Sequence, residues 1–120
     1  MKSQWIIVFI LVLLIIGITV FAMLNPNEPP TSVLSEFMSE EQINTFNTIV
    51  SKCGITVDKI VRDDSLDELD GENTIGFRIR NKYSNNIILY VKNGTVKSIR
   101  YADNYLYNDG NFLGRFSDYL

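Results

Sequence analysis

The sequence has no histidine and a single cysteine, Cys53. The missing histidine removes the commonest general base and the commonest metal ligand together. One cysteine excludes an internal disulfide and a cysteine-based zinc site. Basic residues are scarce at the front: Lys2 is the only Lys or Arg before Lys52, and the formal net charge is −3. That balance argues against nucleic acid as a partner, because phosphate binding needs a concentrated basic surface. No catalytic, metal or nucleotide motif stands above background, so no cofactor is implied. At 120 residues the chain suffices for one domain.

What the sequence does have is a long apolar run. Residues 5–24 read WIIVFILVLLIIGITVFAML, without a charge. Twenty residues at the helical rise make about 30 Å, the thickness of a bilayer's hydrocarbon core. Trp5 stands at one end, where an indole prefers the interface. The run predicts an uncleaved signal anchor, a transmembrane helix. A core helix is the poorer reading, since so small a domain cannot surround one that is apolar all round. A cleaved signal peptide is the rival. Its apolar region is usually shorter, and bulky Phe21, Met23 and Leu24 spoil the cleavage pattern around Val20 and Ala22. Lys2 on one flank, against Glu28, Glu36, Glu40 and Glu41 on the other, puts the N-terminus in the cytoplasm and the C-terminal domain outside the cell membrane.

Asn25-Pro26-Asn27-Glu28-Pro29-Pro30 ends the run. Proline cannot continue a helix, and its predecessor avoids helical geometry. The segment predicts an extended, polyproline-like spacer; eight such residues would span roughly 25 Å. The expected organisation is a cytoplasmic stub and membrane helix over 1–24, a Pro-rich linker over 25–35 and an extracytoplasmic domain over 36–120.

Within that domain, Ser39 can cap a helix, Gln42 can reach back to the cap, and Met38 can staple onto Ile43. Ile43, Phe46, Ile49, Val50 and Cys53 fall on one helical face, and Gly54 supplies the stop. Strands follow. Ile55–Arg62 reads as the first. Asp63–Asn73 is a polar connection with a short helical turn after Ser65. Thr74–Asn81 alternates, with Ile75, Phe77 and Ile79 on one face and Gly76, Arg78 and Arg80 on the other. Ile87–Lys92 is apolar on both faces, as a central strand would be. Asn93-Gly94 is a strong hairpin signal, with Thr95–Tyr101 as the return strand. A further hairpin links Tyr105–Tyr107 to Phe112–Phe116 through Asn108-Asp109-Gly110. The fold class is therefore α+β: an N-terminal transmembrane helix, a Pro-rich spacer, then one amphipathic helix packed on an antiparallel β-meander.

The strings EEQINTFNTIVSKCGI and KIVRDD…NIILYVKNGTVKSIRYADNYLY together resemble uncharacterised small membrane-anchored or secreted α+β domains of Gram-positive bacteria. The similarity spans roughly residues 39–119. It rests on a Cys-Gly ending a helix and a hairpin followed by an aromatic strand. It implies a location and a fold, and carries no catalytic residue across.

Several residues invite chemistry. The acids between Asp63 and Glu72 suggest calcium. An EF-hand register with Gly71 at the sixth position puts Leu66 at the first, so that motif fails, leaving a weak irregular site or a solvated loop that blunts a sheet edge. Cys53 falls on the apolar helix face, where a free cysteine behaves as a small hydrophobe. Asn93-Gly94-Thr95 matches a glycosylation sequon, but also makes an ordinary hairpin turn. Arg78, Arg80, Lys97 and Tyr90 are the candidate partner-binding residues, with Tyr101, Tyr105, Tyr107 and Tyr119 as aromatic surface nearby. Arg and Tyr are the usual hot-spot pair of interfaces. Alternatively the tyrosines wall a small core and the arginines pair with surplus carboxylates.

The expected function is a binding or regulatory module held at a membrane. The expected partners are the lipid bilayer and another membrane or cell-surface protein, without nucleic acid. A structural accessory subunit of a membrane complex and a secreted domain with a cleaved signal are the alternatives. An enzyme fits least.

Overall fold

The computed structural model describes residues 4–12 and 28–120. Residues 4–12 are helical (α1). Among the described residues no helix is long and apolar enough to cross a membrane. The nine described residues of α1 account for roughly 14 Å, against about 30 Å for a hydrocarbon core. This corrects the expectation of a transmembrane helix over 5–24, and with it the signal anchor, the cell-membrane localisation and the inside–outside orientation. Residues 13–24 of that expected span lie outside the described residues, as do residues 25–27 of the expected spacer.

Pro29 keeps polyproline geometry, with φ −63° and ψ 151°. The spacer then ends earlier than the composition suggests. Pro30–Glu36 winds into a 3-10 helix, and its Leu34 is fully buried in the core. Val33, partly buried, packs against the same core and helps to dock the segment.

Helix α2 (Glu40–Lys52) starts where its cap predicts: the Gln42 amide donates to Ser39 Oγ at 3.2 Å. Glu40 and Glu41 lie at the positive end of its dipole and Lys52 at the negative end. Six antiparallel strands follow and pair in sequence order: β1 (Lys59–Arg62), β2 (Thr74–Arg80), β3 (Ile87–Lys92), β4 (Thr95–Tyr101), β5 (Asn104–Asn108) and β6 (Asn111–Phe112). The α+β meander is thus present. Phe46, Ile49 and Val50 of α2 pack on Phe77, Ile79, Leu89 and Ile99 of the sheet's inner face. Cys53 closes that core, fully buried, with its thiol 3.8 Å from the Leu106 carbonyl. Burial pushes the thiol pKa up despite Arg115, so it is held as an unreactive thiol.

Two strands are shorter than their apolar runs. Ile55 is tied to the helix end by its amide N–H, which donates to the Val50 carbonyl, so β1 begins only at Lys59. Phe116 turns inward and its amide donates to the Cys53 carbonyl at 2.8 Å, so β6 stops at Phe112.

The hairpin between β3 and β4 has Asn93 at φ 51° and Gly94 at φ 78°, both left-handed, with Lys92 opposite Thr95. This is the primed turn that matches strand twist. Gly94→Val forces a β-branched residue into that region, and should lower stability by more than about 1 kcal/mol, read from the thermal midpoint. An unchanged midpoint would show that the turn tolerates another conformation.

Candidate functional site: the outer face of the sheet

Strand alternation gives the sheet a second face, away from α2. Residues paired across strands share a face, so the registers assign it directly. Lys59 lies opposite Arg80, and Val61 opposite Arg78. Arg78 pairs with Ile88 and Ile88 with Arg100, which pairs with Tyr105. Gly76 pairs with Tyr90 and Tyr90 with Ser98. Beyond Ser98 the register slips by one residue, a bulge that leaves Lys97 unpaired on β4.

The connection Asp63–Asn73 crosses this face as a strap. Leu66, on the 3-10 turn Asp64–Leu66, packs with Ile88 and Tyr90 as a second small core. Three aspartates pin the strap. Asp63 accepts from Arg78 Nε at 2.7 Å and from the Ser65 amide at 3.1 Å. Asp67 takes both terminal nitrogens of Arg62, at 2.8 and 2.7 Å, and the Gly76 amide at 2.9 Å. Asp70 accepts from Ser98 Oγ and Tyr105 Oη, both at 2.5 Å, and sits 3.4 Å from Lys97 Nζ. Lys97 also reaches Asp109 at 3.3 Å.

These contacts set the ionisation. Hydrogen bonds from Ser65 and Arg78 hold the Asp63 carboxyl below the usual range. The Arg62 fork does the same for Asp67. Burial would raise Asp70, but the Ser98 and Tyr105 hydroxyls and Lys97 outweigh it and the net shift is downward. The acidic run is therefore not solvated throughout, although Asp64, Glu68 and Glu72 are exposed. Its key carboxylates point inward to cations and hydroxyls, and no group of His, Cys, Asp and Glu able to hold a metal occurs among the described residues.

The sequence candidates fall into three situations. Arg80 is exposed and makes no ion pair among the described residues. Arg78 and Lys97 are spent on the strap, through Asp63 and Asp70. Tyr90 lies on the expected face but is fully buried, so it offers no contact surface in this conformation. The other tyrosines divide: Tyr105 joins the outer face, while Tyr101 and Tyr107 pack against the inner core. Missed from the sequence were Lys59 and Arg100. Each carries the alternation signal of its strand, but strand order is needed to set Lys59 opposite Arg80 and to put Arg100 on the row of Arg78, across Ile88.

Two polar atoms on this face are buried without a hydrogen-bond partner, Tyr90 Oη and Arg100 Nε. Arg100 Cζ lies 6.0 Å from the centre of the Tyr90 ring. Burial raises the Tyr90 pKa, so the phenol is a protonated donor at neutral pH. Ser98, in contrast, is buried and already engaged by Asp70.

Comparison with protein-family models, curated proteins and solved structures finds no significant match.

Proposed function

We propose that this chain is a protein-binding module whose contact surface is the basic side of the outer sheet face. The observation that supports this most is the Lys59–Arg80 pair. Two like charges directly opposite each other on neighbouring strands destabilise a sheet. Both side chains are exposed, and neither finds a carboxylate among the described residues. The chain is not short of carboxylates, with 14 acids against 11 bases. Asp58, whose amide donates to the Arg80 carbonyl, is exposed beside the pair yet forms no ion pair with either, and three acids of the strap turn inward to other partners. An uncompensated basic edge on an acidic protein is suited to an acidic patch on another protein. A polyanion such as nucleic acid would meet the repulsion of the rest of the surface.

The test is the double change Lys59→Ser with Arg80→Ser, followed by cross-linking in intact cells. Each lost charge-assisted contact is worth about 1.5–3 kcal/mol where the partner excludes water. The cross-linked yield should therefore fall at least tenfold. The thermal midpoint should hold or rise slightly, since a repulsive pair has gone. An unchanged yield would remove this face from the function. A lowered midpoint would show that the pair serves the fold.

A further inference from the structure

The unpartnered atoms Tyr90 Oη and Arg100 Nε are both hydrogen-bond donors in their neutral-pH states. Buried donors nearly always have an acceptor, and each exception calls for a reason. The nearest carboxylate of the strap bonds to neither of them. Asp70 Oδ1 is taken by Tyr105, and Oδ2 by Ser98 and Lys97. Asp63 is committed to Arg78 and Ser65. The fold has thus placed two donors, one of them cationic, with the local acceptors already used. Arg100 is half-buried and makes no ion pair among the described residues, while Tyr90 is fully buried, so a group from outside reaches both donors only when the Arg100 side chain swings outward. Arg78 stands on the same row of the face, across Ile88.

We propose that Tyr90 and Arg100 form a seat for one carboxylate side chain, an Asp or Glu in an acidic segment of the protein partner. A carboxylate is the matching group: two acceptor oxygens for two donors on neighbouring rows of the face, and a charge opposite to the guanidinium. The seat rests on the outer-face reading above. Lys59 and Arg80 attract the segment, and Tyr90 with Arg100 fix where one of its acids enters. Charge complementarity favours an acidic protein segment over any apolar ligand, since the groups in question are donors.

The experiment uses the full-length chain labelled with 15N and a hexaglutamate peptide as probe, watched at the arginine Nε–H signals. A hexalysine peptide and a short single-stranded DNA are the comparison probes. The expected result is a saturable shift of the Arg100 Nε–H signal with hexaglutamate and none with hexalysine. Tyr90→Phe and Arg100→Gln should each weaken binding roughly tenfold. Tyr90→Phe should leave the thermal midpoint unchanged or raised, because the hydroxyl it removes has no partner in the free protein. Binding that is lost on changing Lys59 and Arg80 but untouched by Tyr90→Phe and Arg100→Gln would overturn the seat and leave the outer face standing. No binding of hexaglutamate to the parent chain, with partner cross-linking unaffected by the Lys59 and Arg80 changes, would overturn both. Tighter binding of the DNA with the same Arg100 shift would overturn the protein-segment assignment. A lowered midpoint in Tyr90→Phe would show that the hydroxyl is bonded, by a water, before any partner arrives.

Discussion

Gly76→Val should lower the stability of this domain by about 3 kcal/mol or more, the cost of overpacking joined to the loss of Leu66 burial. Gly76 stands within β2 and its backbone is ordinary strand. What demands glycine is a neighbour. A Cβ built on Gly76 would lie 2.3 Å from Leu66 Cβ and 3.3 Å from Leu66 Cα. No rotamer change relieves a clash with a Cβ and a backbone atom, so the 3-10 turn itself must move. That turn is held by Asp63 on Arg78 and by Asp67 on Arg62 and on the Gly76 amide. Moving it strains all three. At roughly 4–8 °C per kcal/mol for a domain of this size, the midpoint should drop by about 12 °C or more. Gly76→Ala should already cost about 2 kcal/mol. The decisive comparison is Gly76→Ala in a Leu66→Gly background, where the opposing Cβ is gone. There it should cost much less than alone, a coupling that only direct contact produces. A parent-like midpoint for Gly76→Val would mean the strap is not seated on β2 as described.

Gly76 also shows where the sequence was legible and where it was not. Alternation puts Gly76, Arg78 and Arg80 on one face, and the registers agree. The helix over Glu40–Lys52, the apolar central strand and the Asn93-Gly94 hairpin also follow from local signals, because caps, alternation and turn residues act within a few positions. The strap does not follow from them. A run of aspartates with two leucines reads as solvated until one knows that Leu66 finds a glycine and Asp70 finds Ser98 and Tyr105, 28 and 35 residues away. Local polarity carries no information about such partners. The same limit affected the site. Arg80 was legible as an outward basic residue, but its like-charged neighbour Lys59 depends on the β1–β2 register. Tyr90 was legible as a candidate contact residue, yet its burial depends on the strap above it. The apolar run over 5–24 misled in another way: hydropathy measures what a segment could enter, while among the described residues no helix is long and apolar enough to cross a membrane.

Asp70→Ala should cost about 3 kcal/mol at neutral pH, in the range found on breaking buried charged contacts. The Asp70 side chain is 10% exposed and carries three donors on two oxygens. Alanine leaves the buried Ser98 hydroxyl without its acceptor, and does the same to Tyr105. Lys97 keeps Asp109 at 3.3 Å, which holds the loss below the upper end of that range. The pH dependence separates this account from simple packing. The folded carboxyl titrates below its ordinary value, so its contribution is full above about pH 4, where the unfolded chain is ionised, and is lost as pH falls through the folded value. Asp63 and Asp67 are shifted in the same direction and add to the same acid limb. With no histidine in the sequence, no side chain of ordinary pKa titrates between pH 5 and 8. Parent stability should therefore be flat across that interval and fall steeply below about pH 4. Asp70→Ala should start lower and fall less steeply, so that the two denaturant midpoints converge in acid. Curves that stay parallel down to about pH 2 would show that the Asp70 charge contributes nothing, and a neutral-pH midpoint equal to the parent's would remove Asp70 as the pin of the strap.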